Sequence, residues 1–197
     1  MFGLPFRKTA ARTVLVFFVA YLCALLLWIP VKRGYGYVTT VIASKLVAGL
    51  KETRLEELKE EKDMVQATFT PLRGDSGMLV DIPVPISAYT FNVPLTIGIM
   101  AAVYPFIRRR TRAYAEALAM LFSVHLLFVF SLEAKQLTEV FMESGIVSQS
   151  TPSLMFYQFL WGFTDNMVIR FEPFLLGFYI LLRFGKTSLI PQETSKG

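Results

Sequence analysis

Long uncharged stretches set the pattern of this chain. Thr13 to Val31 runs without a charge between Arg12 and Lys32, Ile82 to Ile107 between Asp81 and Arg108, and Ala117 to Leu132 between Glu116 and Glu133. A fourth stretch, Phe156 to Phe184, is as apolar but carries Asp165, Asn166, Arg170, Glu172 and Pro173. A hydrocarbon core of ~30 Å takes about 20 helical residues. The pattern therefore predicts four transmembrane helices, over 13–31, 88–107, 113–132 and 156–184, the last with an interfacial outer part.

The connections are patterned differently. In 32–83, Val38, Ile42, Leu46, Leu50 and Leu58 recur at roughly helical spacing, predicting a helix that leaves the membrane and runs solvated through the charged portion 51–63. Val65 to Thr70 alternates apolar and polar, the mark of a half-buried strand, and Met78 to Ile82 resumes as its partner after the turn cluster at 73–77. The Arg73-Gly74-Asp75 tripeptide is turn chemistry. Pro83, Pro85 and Pro94 punctuate the entry to the second span and Pro105 its exit. A proline within a span frees a backbone carbonyl that a neighbour must satisfy, and Asn92 is placed to do so. Residues 133–155 read as a second extracytoplasmic loop, with Thr151-Pro152-Ser153 opening the next helix, and 185–197 as a cytoplasmic tail. The fold class is an α-helical integral membrane protein, four transmembrane helices with a small extracytoplasmic helix-plus-β-hairpin cap.

Charge orients this arrangement. Arg7, Lys8 and Arg12, then Arg108, Arg109, Arg110 and Arg112, then Arg183, Lys186 and Lys196 fall in alternate short segments, opposed there only by Glu116 and Glu193. The intervening segments are balanced or acidic. By the positive-inside rule both termini are cytoplasmic. The net charge of +5 thus reflects topology and contact with anionic lipid at Arg108, Arg109, Arg110 and Arg112, not nucleic-acid binding. The first segment begins like a secretory signal but lacks a small-residue cleavage pattern, so a retained signal-anchor is expected.

The chain has one cysteine, Cys23, and one histidine, His125, so no disulfide framework, metal spacing or paired axial haem ligation arises and no cofactor is implied. Cys23 reads as a buried residue of the first span. The candidate chemistry is intramembrane. Counted up from Arg183, Glu172 lies ~16 Å and Arg170 ~20 Å into the core, with Asp165 near its outer edge. His125 lies ~20 Å above Arg112, at the depth of Arg170. Asn92, His125, Asp165, Arg170 and Glu172 form the expected polar cluster, because charges at such depth pair or face other helices. Three readings fit: a structural ion pair of Arg170 and Glu172 with a hydrogen-bonded histidine, a docking surface for a membrane partner, or a site with His125 as acid/base and Arg170 stabilising an anion. No serine or cysteine is placed as a nucleophile beside His125.

Local motifs add a resemblance. Pro85-Ile86-Ser87-Ala88-Tyr89 followed by Asn92-Val93-Pro94-Leu95, the span within Glu116 to Glu133, and Tyr157-Gln158-Phe159 followed by Glu172-Pro173-Phe174-Leu175 resemble the exosortase-H-associated membrane proteins. That resemblance implies an accessory protein of envelope protein sorting in the bacterial inner membrane, with a membrane protein partner. It does not imply the sorting enzyme, whose Cys-Arg-His apparatus is not laid out here. Two alternatives are a small subunit of a respiratory or photosynthetic complex, and a membrane-embedded transferase using His125, Arg170 and Glu172.

Overall fold

The computed structural model describes residues 4–72, 77–145 and 151–185, with side chains from Lys8 onward. Helix α1 (Leu4–Leu50) is a single helix of 47 residues, ~70 Å long at 1.5 Å per residue. Leu15, Phe18, Leu22 and Leu26 of its first half stay exposed, whereas Ala43, Ser44 and Val47 of its second half are fully buried. The chain then reverses at Glu52, whose φ of 50° is left-handed, into a three-stranded antiparallel sheet of order β1 (Thr53–Glu61), β2 (Met64–Pro71), β3 (Val80–Pro85).

Strand β1 corrects the solvated helix expected over 51–63. Leu55 and Leu58 are three apart, a helical interval, yet both pack against the core. A register shift between Leu55 and Glu57 explains how. One extra residue in the bulge lets a period of three keep one face of a strand. The strands expected on either side of the turn are present as β2 and β3, while Arg73-Gly74-Asp75 lies outside the described residues. Alternation buries Val65, Ala67 and Phe69 of β2 and Val80, Ile82 and Val84 of β3 on the face that meets α1 and the helix α4 described next.

Helices α2 (Ile86–Thr90) and α3 (Asn92–Val103) with a 3-10 turn at Tyr104–Phe106 form the second apolar segment. Helix α4 (Arg110–Ser144) follows and ends on Gly145 in the left-handed region, as glycine allows after a helix. The loop expected from residue 133 is thus helix as far as Ser144. Its buried positions Ala134, Leu137, Thr138 and Phe141 share one helical face. The last segment is helical from Thr151, as α5 (Thr151–Phe163), a π-helical segment (Thr164–Ile169) and α6 (Arg170–Phe184). Among the described residues, three helical segments are long and apolar enough to cross a membrane, Lys8–Leu50, Ile86–Phe106 and Arg110–Ser144.

Helix α3 sits between α1 and α6. Gly98 faces Phe17 and Tyr21, and Gly177 of α6 faces Ile99. The Tyr114 hydroxyl donates to the Met100 carbonyl at 3.1 Å and ties α4 to α3. One apolar core joins the sheet to α1 and α4, and another gathers Met100, Ile107, Ala117 and Ile180 at the arginine-rich end. At the junction of bundle and sheet, Lys32 Nζ donates to Asp63 Oδ1 at 2.7 Å and to Ser87 Oγ at 3.0 Å. The Ile86 amide donates to the Asp63 carbonyl at 2.8 Å.

Close approach at Gly36 allows this junction. A Cβ there would lie 2.6 Å from Ile86 Cγ2, whereas one at Gly34 would meet nothing within 4 Å. Gly36→Val should lower stability by about 1–3 kcal/mol, and Gly34→Ala should leave it unchanged or raise it by up to about 1 kcal/mol. Melting temperatures in detergent read both. Hydrogen bonds from Lys32, and then from Ser87, hold the Asp63 carboxyl below the usual carboxylate range. A depressed acid stabilises the fold above its unfolded pKa and loses that contribution as pH falls. The melting difference between wild type and Asp63→Asn should therefore be largest near neutrality and shrink below pH ~4. A difference that grows on acidification would contradict the pairing.

Candidate functional site: a buried network shared by four helices

Pro173 gives the site its local logic. It lies inside α6 and has no N–H for the carbonyl four residues back, that of Ile169. Asn92, at the start of α3, supplies the missing donor. Its Nδ2 donates to the Ile169 carbonyl and to Glu172 Oε2, the latter at 3.3 Å. One side-chain amide thus serves two acceptors of the last helix.

His125 of α4 lies on the other side of that carboxylate. His125 Nε2 and Glu172 Oε2 are 3.2 Å apart, and His125 Nδ1 and the Tyr35 hydroxyl of α1 are 2.8 Å apart. An imidazole bonded at both nitrogens thus links the Tyr35 hydroxyl to the Glu172 carboxyl group. The imidazole packs against the rings of Tyr89 and Tyr35 at steep interplanar angles, centroids 5.3 and 5.7 Å away. Tyr89 in turn donates to the Gly36 carbonyl at 3.3 Å. His125 is 0% exposed and Glu172 2%. Tyr35, Asn92, His125 and Glu172 come from α1, α3, α4 and α6, one from each helix.

The rest of the expected cluster is dispersed. Arg170 is exposed and makes no ion pair among the described residues. Its expected pairing with Glu172 is corrected by geometry, since residues two apart on a helix point to opposite sides. Asp165 is half-buried in the π-helical segment. Cys23, expected to be buried, is exposed. The structure therefore does not assemble His125, Arg170 and Glu172 into one centre.

Other polar residues were not legible as partners. Glu133 is fully buried and accepts from Ser44 Oγ at 2.7 Å, while its Oε2 takes no bond among the described residues. Lys51 Nζ donates to Thr138 Oγ1 at 2.7 Å and lies 3.8 Å from the centre of the Tyr157 ring. Tyr35 reads from the sequence as an interfacial aromatic. Only the packing of α1 along α4 brings it to His125, and no spacing in the chain signals a contact 90 residues apart. Among the described residues no group of three or more His, Cys, Asp and Glu could hold a metal.

The chemistry open to this network is narrow. A tyrosine, an imidazole and a carboxylate in line make a proton relay in form. With the imidazole and carboxylate closed to solvent, the relay fixes helix positions. Helices of spanning length, joined by buried ionisable groups and carrying a small sheet at one end, define a helical membrane protein. The model of the exosortase H-associated membrane proteins matches residues 6–184, nearly the whole chain, and the chain belongs to that family. No curated protein and no solved structure matches it.

Removing one partner of the network should cost more than replacing it by an isostere. His125→Ala leaves a buried carboxylate uncompensated, and about 3–5 kcal/mol of stability should be lost. Glu172→Gln keeps an acceptor, and about 1.5–3 kcal/mol should be lost. A double-mutant cycle between the two positions, read by thermal melting in detergent, should give clear coupling. Additive effects would mean that the two side chains do not act together.

Proposed function

We propose that this chain is an accessory subunit that docks on exosortase H in the bacterial inner membrane, through the outward face of its last helix. It crosses the bilayer four times, with both termini cytoplasmic and the sheet on the far side. The alternation of basic and acidic segments supports that orientation, and the arginines at 108–112 would meet anionic headgroups. Family membership supports the partner.

The observation that carries the docking reading is the position of Arg170. Phe163, Met167, Phe171, Phe174 and Phe178 are all about half exposed or more, and their spacing places them in one stripe along the helix. Arg170 stands within this stripe. The Ile169 carbonyl beside it is bound by Asn92, which lies six residues inside the Ile86–Phe106 segment, ~9 Å below its end. An arginine facing lipid at that depth costs free energy. A transmembrane helix of the partner carrying a carboxylate at the same level would relieve that cost. The closed state of His125 and Glu172 favours this subunit reading over a transferase, which would need them open to a cleft.

Co-expression with exosortase H and extraction in mild detergent test the proposal. The two chains should elute together when only the enzyme carries a tag. Arg170→Gln should reduce retention about tenfold, equivalent to about 1.4 kcal/mol, without moving the melting temperature, and Lys45→Gln should change neither. If the untagged chain elutes alone as a monodisperse monomer, the subunit reading fails. If Arg170→Gln copurifies like wild type, docking occurs elsewhere and Arg170 serves lipid phosphate.

A further inference from the structure

We infer that the arginine-rich end holds a discrete binding site for an anion bearing at least one phosphate and two or more negative charges. A cavity of about 430 Å³ opens there, lined by Arg108, Arg109, Arg112 and Arg183 with Phe184 and Gly185. That volume suits a small molecule or a headgroup better than a lone ion. The site narrows the lipid contact proposed above, and it rests on that orientation only for where its ligand comes from. The cavity itself stands on side chains from two separate helices.

Its walls are tied together by backbone. The Arg108 amide donates to the Phe184 carbonyl at 2.6 Å, and Ile107 and Gly185 form an isolated antiparallel bridge. Gly185 is required at this join, because a Cβ there would lie 2.3 Å from the Leu181 carbonyl oxygen. These links bring Arg183 of α6 to the arginines that precede and open α4.

Two of the four guanidiniums are held by a carboxylate. Arg112 Nε donates to Glu116 Oε1 at 3.0 Å, and Arg183 Nε lies 3.3 Å from Glu116 Oε2. One carboxylate thus orients two arginines through Nε, and Arg183 Nη1 donates to the Tyr179 hydroxyl, which itself donates to Glu116. The remaining terminal nitrogen of Arg183 and those of Arg112 suit a phosphate oxygen. Among the described residues, four guanidiniums line the cavity against Glu116 alone, a surplus of three positive charges. Arg110 is in the same sequence cluster but turned away, its guanidinium 3.9 Å from the centre of the Tyr104 ring.

The start of α4 points the same way. Among the described residues this helix of 35 residues has no side-chain cap and no acidic residue in its first turn, so its first amides and the positive end of its dipole suit an anionic acceptor. Its N-cap, Arg109, adopts φ 48° and ψ 51°, a left-handed conformation that disfavours a residue with a Cβ. Such strain collects at ligand clamps. An anion in the cavity would cap the helix and neutralise the arginines at once.

The test uses the full chain in neutral detergent, with melting temperature and native mass spectrometry as readouts. The probes are cardiolipin, phosphatidylglycerol, phosphatidylcholine and soluble pyrophosphate. Cardiolipin should raise the melting temperature saturably, phosphatidylglycerol less, and phosphatidylcholine not at all. Arg109→Gln and Arg183→Gln should each weaken the response about tenfold, and Arg110→Gln should leave it intact. Arg109 makes no ion pair among the described residues, so its variant keeps the test valid if Arg183→Gln loosens the fold through Glu116. Stabilisation by pyrophosphate alone would support the site and assign its ligand to the soluble phase. Equal weakening by all three arginine variants would overturn it in favour of a diffuse charged surface, as would no response to any phosphate. Neither result depends on copurification with the enzyme, so the site and the subunit reading can fail separately.

Discussion

One buried carboxylate holds this bundle in register. Glu172 meets His125 directly and Asn92 through an amide, and His125 passes the contact to Tyr35. Each of the four principal helices thus contributes to a single point. Apolar faces of membrane helices are poor at fixing register, because lipid tails are nearly as good a solvent for them as another helix. A charge that must be satisfied removes that freedom: sliding or turning one helix by a residue would strand a polar atom in a medium without water. Pro173 sharpens the demand by freeing the Ile169 carbonyl, so α3 must present Asn92 there and nowhere else.

The three segments of spanning length are legible in the sequence because their length and lack of charge follow from bilayer thickness alone. Strands β2 and β3 are legible too, because their alternation is undisturbed. Strand β1 was hidden, since its bulge gives Leu55 and Leu58 the interval of a helix among charges that also suit one. The continuation of α4 to Ser144 was legible in the spacing of Ala134, Leu137, Thr138 and Phe141, but the density of charge there suggested a loop. Depth counting placed His125 and Glu172 at compatible heights. It could not separate Arg170 from Glu172, because depth says nothing of azimuth and residues two apart on a helix differ by about 200° in azimuth. The tie to Tyr35 depends on how two helices meet, and no local pattern encodes it.

The polar groups of the molecule divide by whether another chain is needed to complete them. Tyr35, Asn92, His125 and Glu172 are satisfied almost wholly within the fold, and Lys32 with Asp63 closes the seam to the sheet. Arg170 has no internal counterpart among the described residues, and at the opposite end two of the four guanidiniums around the cavity share the Glu116 carboxylate. Exposed cations thus stand at two separate levels of the molecule, while the ionisable groups at its centre are bonded to one another.

Helix α1 runs from the arginine-rich end to the sheet without ending. The strands are therefore not a tethered domain on a linker; they stand on a strut that begins within the bundle. Their distance from the lipid is set by residue count along one helix. Any object that meets this sheet must arrive at that fixed height, and any tilt of the bundle reaches the sheet as leverage.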